Sequence, residues 1–171
     1  MIDSALIDTL NLKASDFARR WKDRIRRASQ LKHYNGMEDD ALIAADLPFY
    51  SLLARTLDRG LDRALVGDFF VRLGKDRMQG GFPVSEVIYA VNLAQQVVIE
   101  YIMTDYAPES PVKMYQAMGI MVKVSEFFLL GCFYLTKGFL EATYTNMNSR
   151  DAVSEELLRK YFRDDFFFKK E

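Results

Sequence analysis

The sequence predicts an all-α protein: a single helical bundle of about five or six helices with one long central helix, a globin-like arrangement being one form open to it. Three observations lead there. Apolar residues recur at three- and four-residue steps almost throughout, and no segment alternates clearly as a strand would. All four prolines stand where a helix can begin. Half of the 171 residues are apolar and 27% are charged, a globular composition sufficient for one core. With no internal repeat and no low-complexity linker, residues 1–171 read as one domain.

The first helix follows from Ile7, Leu10, Ala14, Phe17, Trp21, Ile25 and Ala28, a single apolar stripe that Asn11 and Ser15 can interrupt near its start. Its opposite face carries Arg19, Arg20, Lys22, Arg26 and Arg27, which read as a solvated face before they read as a site for an acidic partner. The polar stretch "QLKHYNGMEDDALIAAD" is expected to be a loop with one short helical turn. Asp46 then reads as the N-cap of a second helix, with Pro48 in its first turn and Tyr50, Leu53, Leu57, Leu61 and Ala64 facing inward. Gly67 and Asp68 permit a break before a third helix that carries Phe69, Phe70, Leu73, Arg77 and Met78.

Gly80 and Gly81 are a stop signal, because glycine readily takes the left-handed conformation that ends helices. Pro83 suits a first helical position, and Glu86 sits near the positive end of the new helix dipole. Val84, Val87, Ile88, Val91, Ala94, Val98 and Ile102 supply that helix's inner stripe, and "TDYAPESP" closes it. Ser110 and Pro111 open the longest helix, which is expected to reach about residue 146. It is apolar all round between Met118 and Leu135, the pattern of a helix covered on every side. A last segment is expected to be helical at least through Phe162.

Chemistry is excluded more readily than it is found. Lys and Arg total 23 against 24 Asp and Glu, so there is no general basic surface for nucleic acid. The lone histidine, His33, lies in "LKHYNG" without Cys, Asp or Glu at metal-ligand spacing, and reads as a surface residue. Cys132 sits in "FFLLGCFYL" and reads as a buried thiol without a disulfide. Neither GxxxxGK[ST] nor a strand-borne GxGxxG occurs, so no phosphate-cradling loop is expected. "EDD" at 38–40 and "RDD" at 163–165 read as solvated charge, and Met114, Met118 and Met121 as core filler. No acid, base, nucleophile, metal or cofactor site assembles, and no enzyme is expected. Lys123 and Glu126 interrupt the most hydrophobic window, and each costs about 3 kcal/mol near a bilayer centre, so a cytoplasmic protein without a membrane span is expected.

Arg77, Gly81-Phe82-Pro83-Val84, Glu86-Val87 and Ala90 together resemble the R-x-x-x-G-h-P-h-x-E-h-x-x-A corner (h, apolar) of the RsbRD N-terminal sensor family. Trp21 late in the first helix, followed by a polar loop and the "FYSLLARTL" helix, is similar as well, and the likeness covers roughly residues 12 to 145. Family members often carry an arginine soon after the corner, where this chain has Asn92 and Gln95-Gln96. The resemblance implies an all-helical input domain, of the kind found ahead of histidine kinases and in stressosome co-antagonists. No kinase, STAS or DNA-binding domain follows here, so the expectation is a sensor-like module acting on a separate signalling protein. A small-molecule binding protein for an apolar or aromatic ligand is the alternative.

The residues expected to matter fall into three groups. Arg77, Gly80, Gly81 and Pro83 form a structural corner. Phe127, Phe128 and Tyr134 are candidates for a homodimer contact, since the longest helix carries more apolar residues than one small chain can bury. Phe166, Phe167 and Phe168 run consecutively, spread around any helix that holds them, and are expected either to clasp back or to dock a partner.

Overall fold

The computed structural model describes residues 4–107 and 110–148. All regular structure among them is helical: α1 (Ser4–Leu12), α2 (Ala14–Arg27), α3 (Lys32–Asn35), α4 (Asp39–Arg59), α5 (Arg63–Gln79), α6 (Val84–Tyr101) and α7 (Pro111–Asn148), with a π-helical turn at Ile102–Tyr106. The all-α expectation therefore holds, with more pieces than expected. The expected first helix is interrupted at Lys13, whose ψ of 15° departs from helical geometry, and Asn11 donates its side-chain amide back to the Ile7 carbonyl just before. The short helical turn expected in the polar stretch is the four-residue α3.

Of the described residues, those up to Asp62 and Tyr89–Leu129 form one compact unit. In it α1 and α2 both pack on α4. Of the predicted stripes, Leu10 from α1, Phe17, Trp21 and Ile25 from α2, and Tyr50, Leu53 and Leu57 from α4 are buried, joined by Ala18, Leu42 and Phe49. Leu61 and Ala64 fall beyond the end of α4 and are exposed. Arg26 fixes the loop between α2 and α4. Its guanidinium donates to the carbonyls of Tyr34, Asn35 and Met37 and to the Asp39 carboxylate, the last at 2.7 Å. Lys22 reaches the same carboxylate, so two members of the expected solvated basic face are committed to holding a loop. The hydrogen bond from Arg26 holds the Asp39 carboxyl below its ordinary range.

The start of α4 corrects the sequence reading. Glu38 is its N-cap, and Asp39 and Asp40 occupy the first turn, where carboxylates complement the helix dipole. Asp46 and Pro48 lie inside the helix. The proline is tolerated because it and Ala44, whose carbonyl loses its donor, are both exposed and solvent can take the bond. The break expected at Gly67 falls instead at Gly60, with φ +90°, and Gly67 is buried within α5.

Of the described residues, Arg63–Ile88 and those from Leu130 to Asn148 form the second unit. Its two long segments, α5 and the C-terminal half of α7, meet backbone to backbone. A Cβ added to Gly74 would overlap the Leu135 carbonyl oxygen and stand 2.8 Å from the Phe139 nitrogen. One added to Gly138 would overlap the Val71 carbonyl oxygen, and one on Gly131 would overlap the Phe70 ring. Lys75 closes the crossing with a 2.7 Å ion pair to Glu141, whose side chain is only 7% exposed.

Gly138→Ala would gain about 1 kcal/mol of helix propensity. It is nevertheless expected to lose about 1–3 kcal/mol net, because the methyl meets backbone that cannot swing aside. Chemical denaturation monitored by far-UV circular dichroism would show it, and an unchanged or raised midpoint would contradict the close crossing.

Candidate functional site

The corner is built from the end of α5 upward. The Phe82 amide donates to the Arg77 carbonyl at 3.0 Å and the Gly81 amide to the Met78 carbonyl at 3.0 Å. Those bonds, with Gly81 at φ +77°, make a Schellman cap, which satisfies carbonyls that the helix end would leave bare. Gly80 packs against the Phe82 ring, where an added Cβ would stand 3.2 Å away. The Arg77 guanidinium lies 5.0 Å from the centroid of the same ring. Pro83 then accepts from the Val87 amide, and α6 begins at once, with Glu86 buried in its first turn. All four expected corner residues thus take part in one turn.

Within the first unit, α6 is held by Trp21. The buried indole N–H donates to the Ala90 carbonyl at 2.8 Å, and its ring meets Tyr34 edge-on. One turn along α2, Arg24 donates to Gln96 at 3.2 Å and pairs with Glu100. Gln95 donates across to Ser125 of α7. Gln95 and Gln96 therefore bridge α6 to its neighbours.

A second polar feature of this unit was read differently from sequence. Asp46, 1% exposed, accepts a hydrogen bond from the Tyr50 hydroxyl through Oδ2, while Oδ1 has no partner. Phe17 packs between Tyr50 and Tyr101, 5.2 Å from each ring. Burial pushes the Asp46 carboxyl up to about 8, although the Tyr50 hydrogen bond opposes the shift. Its apparent N-cap spacing hid this role, and only the earlier start of α4 puts Asp46 inside.

The expected dimer residues are corrected by burial. Phe127 and Phe128 are 0% and 1% exposed, so neither offers a contact surface, and Tyr134 is half-buried against Phe133. The exposed side of α7 in the first unit lies elsewhere, at Val112, Met114, Tyr115, Met118, Val122 and Leu129. The helix is apolar all round, but it is not covered all round. Phe166, Phe167 and Phe168 lie outside the described residues. His33 is exposed on α3, and Cys132 is half-buried with its thiol pushed up by burial. In the second unit a depression of about 660 Å³ is lined by Lys75, Met78, Gln79, Glu141, Ala142, Thr145 and Asn146, a set too polar to favour an apolar ligand.

The model of the family described as the RsbT co-antagonist protein rsbRD N-terminal domain matches residues 15–128. The chain belongs to this family. No curated protein and no solved structure matches it. The match takes in Trp21, the corner, Ala90 and the exposed part of α7 up to residue 128. In this RsbRD N-terminal domain two features that carried the resemblance, Trp21 and the last corner position, Ala90, are joined by one hydrogen bond.

Two measurements check the site. Gly81→Val is expected to destabilise by about 1 kcal/mol or more, because a β-branched side chain clashes at positive φ. An unchanged melting temperature would contradict the cap. Asp46 makes stability fall with rising pH: the unfolded carboxyl ionises near pH 4, while the folded one keeps its proton to about 8. Its contribution is complete below about pH 4 and lost as pH rises through about 8. Asp46→Asn, which cannot ionise, should therefore gain on the wild type between pH 5 and pH 8.5 in urea titrations. A constant difference across that range would contradict the buried carboxyl.

Proposed function

We propose that this RsbRD N-terminal domain is a cytoplasmic signalling module that works by contact with a separate protein and performs no catalysis of its own. The observation that carries the reading is the exposed apolar side of α7, within a family described as co-antagonists of RsbT. Large apolar side chains left on a helix surface cost solubility unless a partner covers them, and patches of this kind mark interaction sites. The family description names a co-antagonist of RsbT, a protein that acts together with another upon a third, so protein surfaces rather than a reaction centre are what such a module needs.

The cytoplasmic reading is supported by charge. Both α6 with its π-turn and α7 are long and apolar enough to cross a membrane by composition. In α6 and its π-turn, however, Val87, Val91, Ala94, Val98 and Ile102 are buried in the protein, and α7 carries Lys123 and Glu126 on its exposed side.

The test is reconstitution. Purified chain added to a co-antagonist assembly of the same family, with RsbT bound, is expected to co-migrate with the assembly on size exclusion or to change the amount of RsbT retained. Neither effect at tens of micromolar chain would overturn the proposal.

A further inference from the structure

We propose that the groove between α1 and the C-terminal half of α4 binds a small organic acid, its single carboxylate held by Arg55 and Arg59 and its apolar body seated on Ile7 and Ala54. The site uses none of the exposed residues of α7, and the contact-module reading does not depend on it.

The groove follows from the packing of α1 on α4. Ile7 and Asn11, one turn apart, form its α1 wall, and the α4 wall is the stripe Ser51, Arg55, Asp58 and Arg59. Ala54 is the most buried residue of the lining, and the depression holds about 330 Å³. That lies near the lower end of the range for small-ligand pockets, about 300–1,000 Å³. A cation at Arg59 has an ordinary reason, since it faces the negative end of the α4 dipole from the last turn. Arg55, a full turn earlier, has none. It makes no ion pair or hydrogen bond among the described residues, and it stands one turn from a like charge. The acidic neighbour of Arg59, Asp58, is 3.6 Å away, beyond hydrogen-bond reach. An anion between the two guanidiniums would end their repulsion and occupy both forks.

The lining selects the kind of anion. A guanidinium fork matches the two oxygens of a carboxylate. Arg55, Arg59 and Asp58 leave the lining with one net positive charge, which one carboxylate neutralises. A phosphate, with a charge of about −2, would overcharge the site and face Asp58. The Ser51 hydroxyl has no partner among the described residues, and Asn11 gives only one amide N–H to the Ile7 carbonyl. Both can donate to oxygens of an acid. Ile7 is half-buried and Ala54 is 1% exposed, so the body of the ligand finds an apolar seat and an acid with a hydrophobic body fits best. The depression of the second unit lacks this preference, because its Lys75 is already paired with Glu141 at 2.7 Å.

The test is a titration of the isotope-labelled chain with sodium benzoate, followed by proton–nitrogen correlation spectra at neutral pH and constant ionic strength. Benzoate is expected to shift the amides of Asn11, Ser51 and Arg55 saturably. Inorganic phosphate and benzyl alcohol, which has the ring without the charge, are expected to leave them in place. Arg55→Gln should weaken benzoate at least about tenfold, since it removes one charged fork. Asp58→Asn should tighten benzoate and let phosphate shift the same amides, because two positive charges then stand uncompensated. Arg55 and Asp58 are both exposed, so unchanged far-UV melting of the variants excludes a folding cause. No saturable shift at millimolar benzoate would overturn the proposal, as would an Arg55→Gln variant that binds as well as wild type. Wild type that takes phosphate or benzyl alcohol as readily as benzoate would also overturn it, and so would an Asp58→Asn variant that binds neither anion better.

Discussion

One hydrogen bond sets the geometry of the first unit, the one from the Trp21 indole to the Ala90 carbonyl. An indole brings more apolar surface into a core than any other side chain, but its N–H must find an acceptor there or cost about 1–3 kcal/mol. The acceptor here is main-chain, and it is reachable because position 90 is an alanine, whose methyl leaves the carbonyl open to approach. Once α2 and α6 are tied at that point, Arg24 falls opposite Gln96 and Glu100, and Phe17 falls against Tyr101. The remaining contacts between these helices are then matters of register. A substitution of either partner would move them together.

Much of this was legible beforehand, and the legible parts share a cause. The corner could be read because glycine pairs and Pro83 act through local backbone geometry, which neighbours hardly alter. The bounds of α7 were legible for the same reason, with Ser110 and Pro111 as its start. Failures came where a local signal was outweighed. Asp46 and Pro48 spell a helix start, yet Glu38, Asp39 and Asp40 spell one eight residues earlier, and Arg26 secures that earlier turn. Gly67 lost to Gly60 because only the latter takes a positive φ.

The candidate surface was less legible than the fold. A helix that is apolar all round does not announce which side its neighbours cover, so Phe127 and Phe128 could be named for the outside as readily as Leu129 and Met118. That phase is set by tertiary packing, which one-dimensional periodicity does not contain. The buried Asp46 was hidden in a related way. An aspartate two residues before a proline has an ordinary local explanation, and its unusual environment exists only once Tyr50 and Phe17 have closed over it.

The glycine crossing of α5 and α7 has a mechanical meaning. Most helix pairs touch through side chains, which act as a compliant layer: rotamers shift, and one helix can turn or slide a little while its neighbour stays put. At Gly74, Gly131 and Gly138 that layer is missing, and main chain bears on main chain or on the Phe70 ring. Such a joint has almost no play. Rotation of α7 about its axis would drive the Leu135 and Phe139 backbone into α5, so within this unit the two helices must move as one stiff member. The capped corner, bonded to the last turn of α5, would be carried along with it.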